Sequence, residues 1–256
     1  MEFQYKRLTY AGFQTRWESV RRRIFMEEPS SYFAFPFLNP SWEVLPIPND
    51  PTRLPSPESW LNYRTTPDVH DEYEPLFATL RERGVDTMIL WPVDQWLTAE
   101  SYATGDPSKY EQTVFPFEVS PTREAMDAVL MDKGFDANQH PSYFSAEADW
   151  GLQTFWDEVS VLAGTPDFME CFYRHAGGRD TVRQRFIDYD VGAAWYFSHF
   201  PRTDKGRPYE PDEYPYDDAP RKKFYDMIGW DMPAYDMEQV KKRYPFLFRK
   251  PDDQRK

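Results

Sequence analysis

Aromatic side chains outnumber branched aliphatic ones in this sequence, and this inversion limits the kind of core that the chain can build. Phe, Tyr and Trp together number 46, whereas Leu, Ile and Val together number 31 in a chain of 256 residues. Each aromatic ring buries a large area, so the chain has enough apolar surface to fold. We therefore expect an ordered protein in which a compact aliphatic core uses only part of the apolar surface.

Two segments combine dense proline with aromatic residues. Residues 29–67 contain nine prolines, and residues 201–256 contain eight prolines and ten aromatic residues. Proline fixes φ and removes an amide donor, so the first segment excludes helix and allows only short strands. The second segment has room for short helices at 221–229 and 236–243. Both segments are predicted to be extended arms that lie on a surface, either of this chain or of a partner.

Between the arms, the sequence predicts an α+β body over residues 70–200. Apolar periodicity, Ser-Pro and Thr-Pro starts and Gly stops predict helices at 71–83, from Ser120 to Gly134, and over most of 157–200. Strands are predicted at 42–47, 85–91, 113–119 and 150–156. Their β-α-β-β-α-β order matches the ferredoxin-like arrangement. A five-residue echo between 82–86 and 132–136 agrees with the pseudo-twofold of that fold.

The resulting organisation has four parts: an amphipathic helix at 1–28, an extended arm at 29–69, the body at 70–200 and a second arm at 201–256. In the first helix, Phe13, Trp17, Val20 and Ile24 share one face. Its arginines lie mostly off that face. Such a helix is typical of a mitochondrial targeting segment or a lipid-surface segment, or of a solvated helix docked on its own core.

The charge distribution excludes several classes of protein. The net charge is −13, with +4 in residues 1–26 and +5 in residues 240–256, which leaves −22 for the residues between them. A chain this acidic repels phosphate backbones, so a general nucleic-acid binder is not expected. No apolar run approaches the roughly 18 residues of a membrane span, and the sequence predicts no secretory signal with an apolar core. Cys171 is the single cysteine, so no internal disulfide can form, which indicates a reducing compartment or one in which disulfides are not used.

No sequence motif indicates a reaction, a cofactor or a metal. The four histidines include no pair at i, i+4. A metal site made from His70, Asp71 and His140 is possible in three dimensions, but ordinary surface or core histidines are the preferred interpretation. Cys171 is expected to be a small buried residue rather than a nucleophile. Phosphate-binding glycine motifs are absent as well. We therefore predict a non-catalytic chain with no cofactor.

Protein partners are expected to bind through basic and aromatic side chains outside the body. The triple arginine of the first helix is a candidate for contact with anionic lipid or an acidic partner. Tyr, Trp and Phe are favoured anchors at protein interfaces. The candidate partner-binding residues are Arg21, Arg22, Arg23, Phe35, Phe37, Trp42, Tyr214, Tyr216, Trp230, Tyr235, Phe246 and Phe248.

In composition, residues 1–67 and 201–256 resemble accessory (supernumerary) subunits of mitochondrial respiratory complexes and ATP synthases, especially the protist type. The resemblance implies a structural role in a multiprotein complex, peripheral to the mitochondrial inner membrane. It carries no diagnostic motif, so it assigns no functional residue.

Two alternatives remain open at the level of sequence. The acidic body is compatible with an immunity-type inhibitor in the bacterial cytoplasm that covers the basic site of a nuclease toxin. The other alternative is an enzyme with a site that no linear motif reveals.

Overall fold

The fold is known from a computed structural model, which describes residues 4–25, 39–48, 73–91, 116–130, 132, 141–155, 159–191, 219–234, 236 and 238–239. These residues form an antiparallel sheet of seven strands and seven helices, which confirms the α+β class. The chain divides into two compact units, Met1–Val182 and Arg183–Lys256, and the boundary falls within one helix. All seven strands belong to the first unit.

In chain order, the elements are β1 (Tyr5–Arg7), α1 (Tyr10–Arg16), α2 (Glu18–Ile24), β2 (Glu43–Pro48), α3 (Tyr73–Glu82), β3 (Met88–Trp91), β4 (Phe117–Val119), α4 (Arg123–Leu130), β5 (Ser142–Ser145), β6 (Trp150–Phe155), β7 (Val159–Gly164), α5 (Pro166–Ala176), α6 (Arg179–Asp190) and α7 (Ala219–Ile228).

The strand order is β1-β4-β3-β5-β6-β7-β2, and every neighbouring pair is antiparallel. Because β1 and β3 both pair with β4, they run parallel to each other on either side of it. In the same way, β4 and β5 run parallel with β3 between them. Between β1 and β3 the chain forms α1, α2, the far-edge strand β2 and α3, and α4 lies between β4 and β5 in the sequence.

This order differs from the ferredoxin-like arrangement of the four predicted strands. That arrangement places the first strand between the third and the last, whereas β2 lies at the sheet edge and pairs with β7. The difference arises from strands that the sequence pattern did not reveal. In particular, the sequence predicts mainly helix over 157–200, but residues 159–164 form β7, because β6 and β2 pair along both of its edges.

Helices cover the two faces of the sheet unequally. On one face, α1 and α2 lie over the centre, where Ile89 has Glu118 and Phe144 as its cross-strand neighbours. The ring of Phe25 meets that of Phe144 edge-on at 6.0 Å, and the indole Nε1 of Trp17 donates to Glu118 at 3.0 Å. The N-terminal helices are therefore held by both apolar contacts and a buried hydrogen bond.

On the opposite face, α3, α4 and α5 cover the sheet. Tyr73 of α3 contacts Tyr143 of β5 with ring centres 6.1 Å apart, and α4 contacts β4 and β1. Phe168 of α5 stacks on Trp150 of β6 at 5.5 Å, with 6° between the ring planes. All four of these named aromatic side chains are buried, so this layer uses aromatic rings where many folds use Leu and Ile.

The sheet edges are poorly suited to adding a further strand. The edge strand β1 has three residues, and the opposite edge strand, β2, contains Pro46 and Pro48. Proline has no amide hydrogen, so these two positions offer no donor to an incoming strand. Edge prolines of this kind protect a sheet from unwanted pairing.

The second unit has its own aromatic cluster. Phe186 of α6 lies 6.2 Å from Phe224, 6.4 Å from Tyr225 and 6.1 Å from Trp230, measured between ring centres. The hydroxyl of Tyr225 donates to the buried carboxylate of Asp190 at 2.6 Å. A polar contact between buried groups therefore links α6 to α7.

Among the described residues, none of the helices combines the length and the apolar character needed to cross a membrane. The helices predicted from the sequence at 71–83 and 221–229 correspond to α3 and α7. Of the predicted 236–243 helix, most residues lie outside the described part of the chain.

Candidate functional site

The candidate site lies between the end of α3 and the last turns of α5, two helices that pack against each other. Helix α5 begins with Thr165 as its N-cap, whose hydroxyl accepts from the amide of Phe168, and with Pro166 in its first turn. It ends at Gly177, whose φ of 87° is costly for other residues. Helix α3 ends in the same way at Gly84, with φ 71°.

Four polar side chains meet here: Glu82 from α3 and Cys171, Arg174 and His175 from α5. The Nε2 atom of His175 lies 2.8 Å from Oε2 of Glu82, and Nη2 of Arg174 donates to Oε1 of Glu82 at 2.9 Å. One donor atom each from Glu82, Cys171 and His175 lies within 4.8 Å of the other two. The carboxylate of Glu82 is therefore the centre of the cluster.

The pKa shifts follow from this geometry. Hydrogen bonds from Arg174 and His175 lower the pKa of the Glu82 carboxyl below its ordinary value, so it is ionised at neutral pH. Burial raises the pKa of the Cys171 thiol, and the nearby negative charge of Glu82 raises it further. The thiol therefore carries its proton at neutral pH.

This arrangement is poorly suited to covalent catalysis but has donor atoms that metals use. A nucleophilic cysteine needs a lowered pKa, which an adjacent cation or a helix N-terminus supplies. Cys171 lies in the middle of its helix, where burial and the carboxylate of Glu82 raise its pKa more than the nearby Arg174 lowers it. A thiol, an imidazole and a carboxylate are also the three kinds of side chain that bind zinc.

The candidate arginines of α2 lie in different surroundings. Arg21 is buried, donates to both carboxylate oxygens of Glu18, and lies over the ring of Trp91 at 4.5 Å. Arg22 also donates to Glu18 but keeps 52% of its side chain exposed. Arg23 is exposed. Arg22 and Arg23 are therefore the members of the triplet that face solvent.

Of the other predicted partner-binding residues, the structure describes Trp42 and Trp230. Trp42 is buried just before β2. Trp230 is half-buried in the second unit, where the guanidinium of Arg183 lies 4.7 Å from its ring centre. The remaining partner-binding candidates lie outside the described residues; they are Phe35, Phe37, Tyr214, Tyr216, Tyr235, Phe246 and Phe248. The metal candidates His70, Asp71 and His140 also lie outside the described residues.

The cluster around Glu82 was not predicted from the sequence. The four histidines form no pair at i, i+4, whereas the i, i+4 spacing here joins Cys171 to His175 on one face of α5. This Cys-His pair is the sequence feature that could have indicated the site. Glu82 is far away in the sequence and joins the cluster only because α3 packs on α5.

Comparison with protein-family models, with curated proteins and with solved structures finds no match to this chain.

Proposed function

We propose that this chain is a non-catalytic structural subunit that binds into a larger protein assembly through its proline-rich and aromatic arms. The observation that carries the proposal is the position of β2. This strand belongs to the proline-rich segment 29–67, and its six residues pair with β7 from Glu43 to Pro48. The described part of the first arm therefore lies along a folded surface.

The energetics of β2 explain why such an arm is suited to binding. An isolated proline-rich segment loses conformational entropy on ordering and has no core of its own to compensate. Pairing with β7 supplies hydrogen bonds, while Trp42, Leu45 and Ile47 become buried. In this proposal, other segments of the same composition bind a partner surface in the same way.

The charge pattern supports contacts at the N-terminal helix as well. Arg22 and Arg23 are exposed on α2, next to a body of strongly negative charge. They offer cationic groups to an acidic partner or to an anionic lipid surface. Arg21 is left out of this proposed surface because Glu18 and Trp91 hold it inside the protein.

The assembly that we favour is an energy-transducing complex of the mitochondrial inner membrane, with this chain as a peripheral accessory subunit. The support for this choice is the composition of the two arms. A direct test is fractionation of the native source after mild detergent extraction, followed by identification of the proteins that migrate with the chain. We expect it in a large particle with respiratory-chain or ATP synthase subunits.

A double variant in the second arm tests whether that arm mediates incorporation into the assembly. Phe246→Ala combined with Phe248→Ala is expected to reduce incorporation into the assembly and to leave the isolated chain folded. The matched control is Phe186→Leu, which changes an aromatic residue of the internal cluster instead. A native chain that migrates as a monomer would refute the proposal. A salt-sensitive one-to-one complex with a basic nuclease would replace it by the inhibitor function.

A further inference from the structure

We propose that Glu82, Cys171 and His175 form a binding site for one Zn²⁺ ion between the end of α3 and the last turns of α5. The inference rests on the three donor atoms, which lie within 4.8 Å of one another. It does not depend on the structural role proposed above, because its test measures metal binding by the isolated chain.

The donor set fits zinc in both chemistry and spacing. Thiolate sulfur, imidazole nitrogen and carboxylate oxygen bind zinc at about 2.0–2.3 Å, so tetrahedral ligand atoms lie about 3.4–3.7 Å apart. A donor separation of up to 4.8 Å would have to close by about 1 Å on binding, and the 2.8 Å between Nε2 of His175 and Oε2 of Glu82 would have to open by about 0.6 Å. Cys171 and His175 are one helical turn apart on the same face of α5.

The existing hydrogen bonds orient the carboxylate for this purpose. Arg174 donates to Oε1 of Glu82 at 2.9 Å, and Oε2 of the same group faces Nε2 of His175 at 2.8 Å. Zinc would replace the direct contact between Oε2 and Nε2. Arg174 would remain on Oε1, where it fixes the ligand as outer hydrogen-bond partners of metal sites commonly do.

Charge and exposure also suit a divalent ion. A thiolate and a carboxylate neutralise the two positive charges of zinc, and the imidazole adds a neutral ligand. Cys171 is buried, while the side chains of Glu82 and His175 are 42% and 31% exposed. The site thus has a buried sulfur at its base and an open side towards solvent, where water completes the tetrahedron.

Cobalt titration of the chelator-treated, untagged chain tests the proposal. Bound Co²⁺ reports a thiolate ligand through a sulfur-to-cobalt charge-transfer band, and Cys171 is the only cysteine in the chain. We expect one equivalent of Co²⁺ per chain, appearance of the band, and its disappearance when Zn²⁺ is added. Cys171→Ser should abolish the band.

Further variants assign the other two ligands. His175→Gln and Glu82→Gln are each expected to weaken Co²⁺ binding by at least about tenfold, and Arg174→Gln by about tenfold through loss of its hold on Glu82. The matched control is Glu170→Gln, an exposed acid on the same helix that lies outside the cluster. It should bind Co²⁺ as the parent does.

Three results would overturn the zinc site: no charge-transfer band in the parent chain, a band that persists in Cys171→Ser, or equal weakening by Glu170→Gln and Glu82→Gln. Circular dichroism establishes whether each variant is folded. If Cys171→Ser does not fold, the exposed His175→Gln variant decides the matter. Unchanged Co²⁺ affinity in that variant would then overturn the site, and weakened affinity would support it.

Discussion

The carboxylate of Glu18 accepts two hydrogen bonds from the guanidinium of Arg21, at 2.8 Å and 2.7 Å, and both side chains are buried. The same guanidinium lies over the ring of Trp91, at the end of β3, and Phe13 stacks on that ring at 5.9 Å. The ion pair is thus part of the contact between the N-terminal helices and the sheet. Buried charges of this kind are tolerated only while each retains its partner.

Replacing Arg21 with Met should therefore destabilise the first unit strongly. The apolar stem remains, but Glu18 keeps a buried charge with fewer hydrogen bonds, at an expected cost of about 3 kcal/mol in the free energy of unfolding. The control is Arg23→Met on the exposed side of the same helix, which should change stability by less than about 0.5 kcal/mol. Urea unfolding measures both variants. Equal stabilities would contradict the structural role of the pair.

The same carboxylate should contribute to acid unfolding. Burial alone would raise the pKa of Glu18, but hydrogen bonds from Arg21 and Arg22 outweigh it and hold the pKa below its ordinary value. A lowered pKa in the folded state gives stability that is present above the ordinary value of about 4.3 and is lost as the pH falls through the folded-state pKa.

We therefore expect Glu18→Gln to be less stable than the parent at about pH 7, with a difference that shrinks as the pH falls towards about 3. Denaturant titrations at several pH values measure this difference. Glu124→Gln serves as the control because Glu124 is an exposed acid on α4. A difference for Glu18→Gln that is constant with pH would show that the loss is steric rather than electrostatic.

The elements that could be predicted from the sequence are those with their own local signals. Helices α3 and α5 have apolar periodicity and glycine stops, and β3 is a continuous apolar run. By contrast, β1 has three residues with no apolar alternation, and Val159–Gly164 has a composition that a buried helix would also have. Those two strands depend on pairing with strands that are distant in the sequence, and local sequence patterns do not predict such pairing.

The candidate site also has one part that local sequence predicts and one part that depends on long-range packing. The spacing of Cys171 and His175 is visible in the sequence once a helix is predicted there, as it was. The third member, Glu82, is identified only when α3 is placed against α5. Likewise, the burial of Arg21 could not be predicted, because its ring partner Trp91 lies on β3, far from α2 in the sequence.

Gly164 is expected to tolerate no side chain. A Cβ atom at this position would lie 2.7 Å from Cδ1 of Phe168 and 3.2 Å from the carbonyl oxygen of Asp149. Phe168 cannot move away freely because it stacks on Trp150. Gly164→Ala should therefore destabilise the protein by about 2 kcal/mol, measured by thermal or urea unfolding.

Gly84→Ala separates this steric effect from a purely conformational one. No atom lies within 4 Å of a Cβ added there, so the expected cost comes only from its φ of 71° and is about 1 kcal/mol. Near-ultraviolet circular dichroism should change in Gly164→Ala, where the Trp150–Phe168 stack is disturbed, and not in Gly84→Ala. Identical spectra and stabilities for the two variants would contradict the steric explanation.

The hydrogen bond between Tyr225 and Asp190 should control the stability of the second unit. Tyr225→Phe removes a donor 2.6 Å from a carboxylate that is fully buried, at an expected cost of about 2 kcal/mol. Because both residues belong to the unit Arg183–Lys256, we expect faster amide hydrogen exchange in α7 and in the end of α6. Asp226→Asn is the control, since its partner Lys222 forms an exposed pair with it that contributes little to stability. If β3 and β5 lost protection to the same extent as α7, the two units would unfold as one, and the local effect predicted here would be wrong.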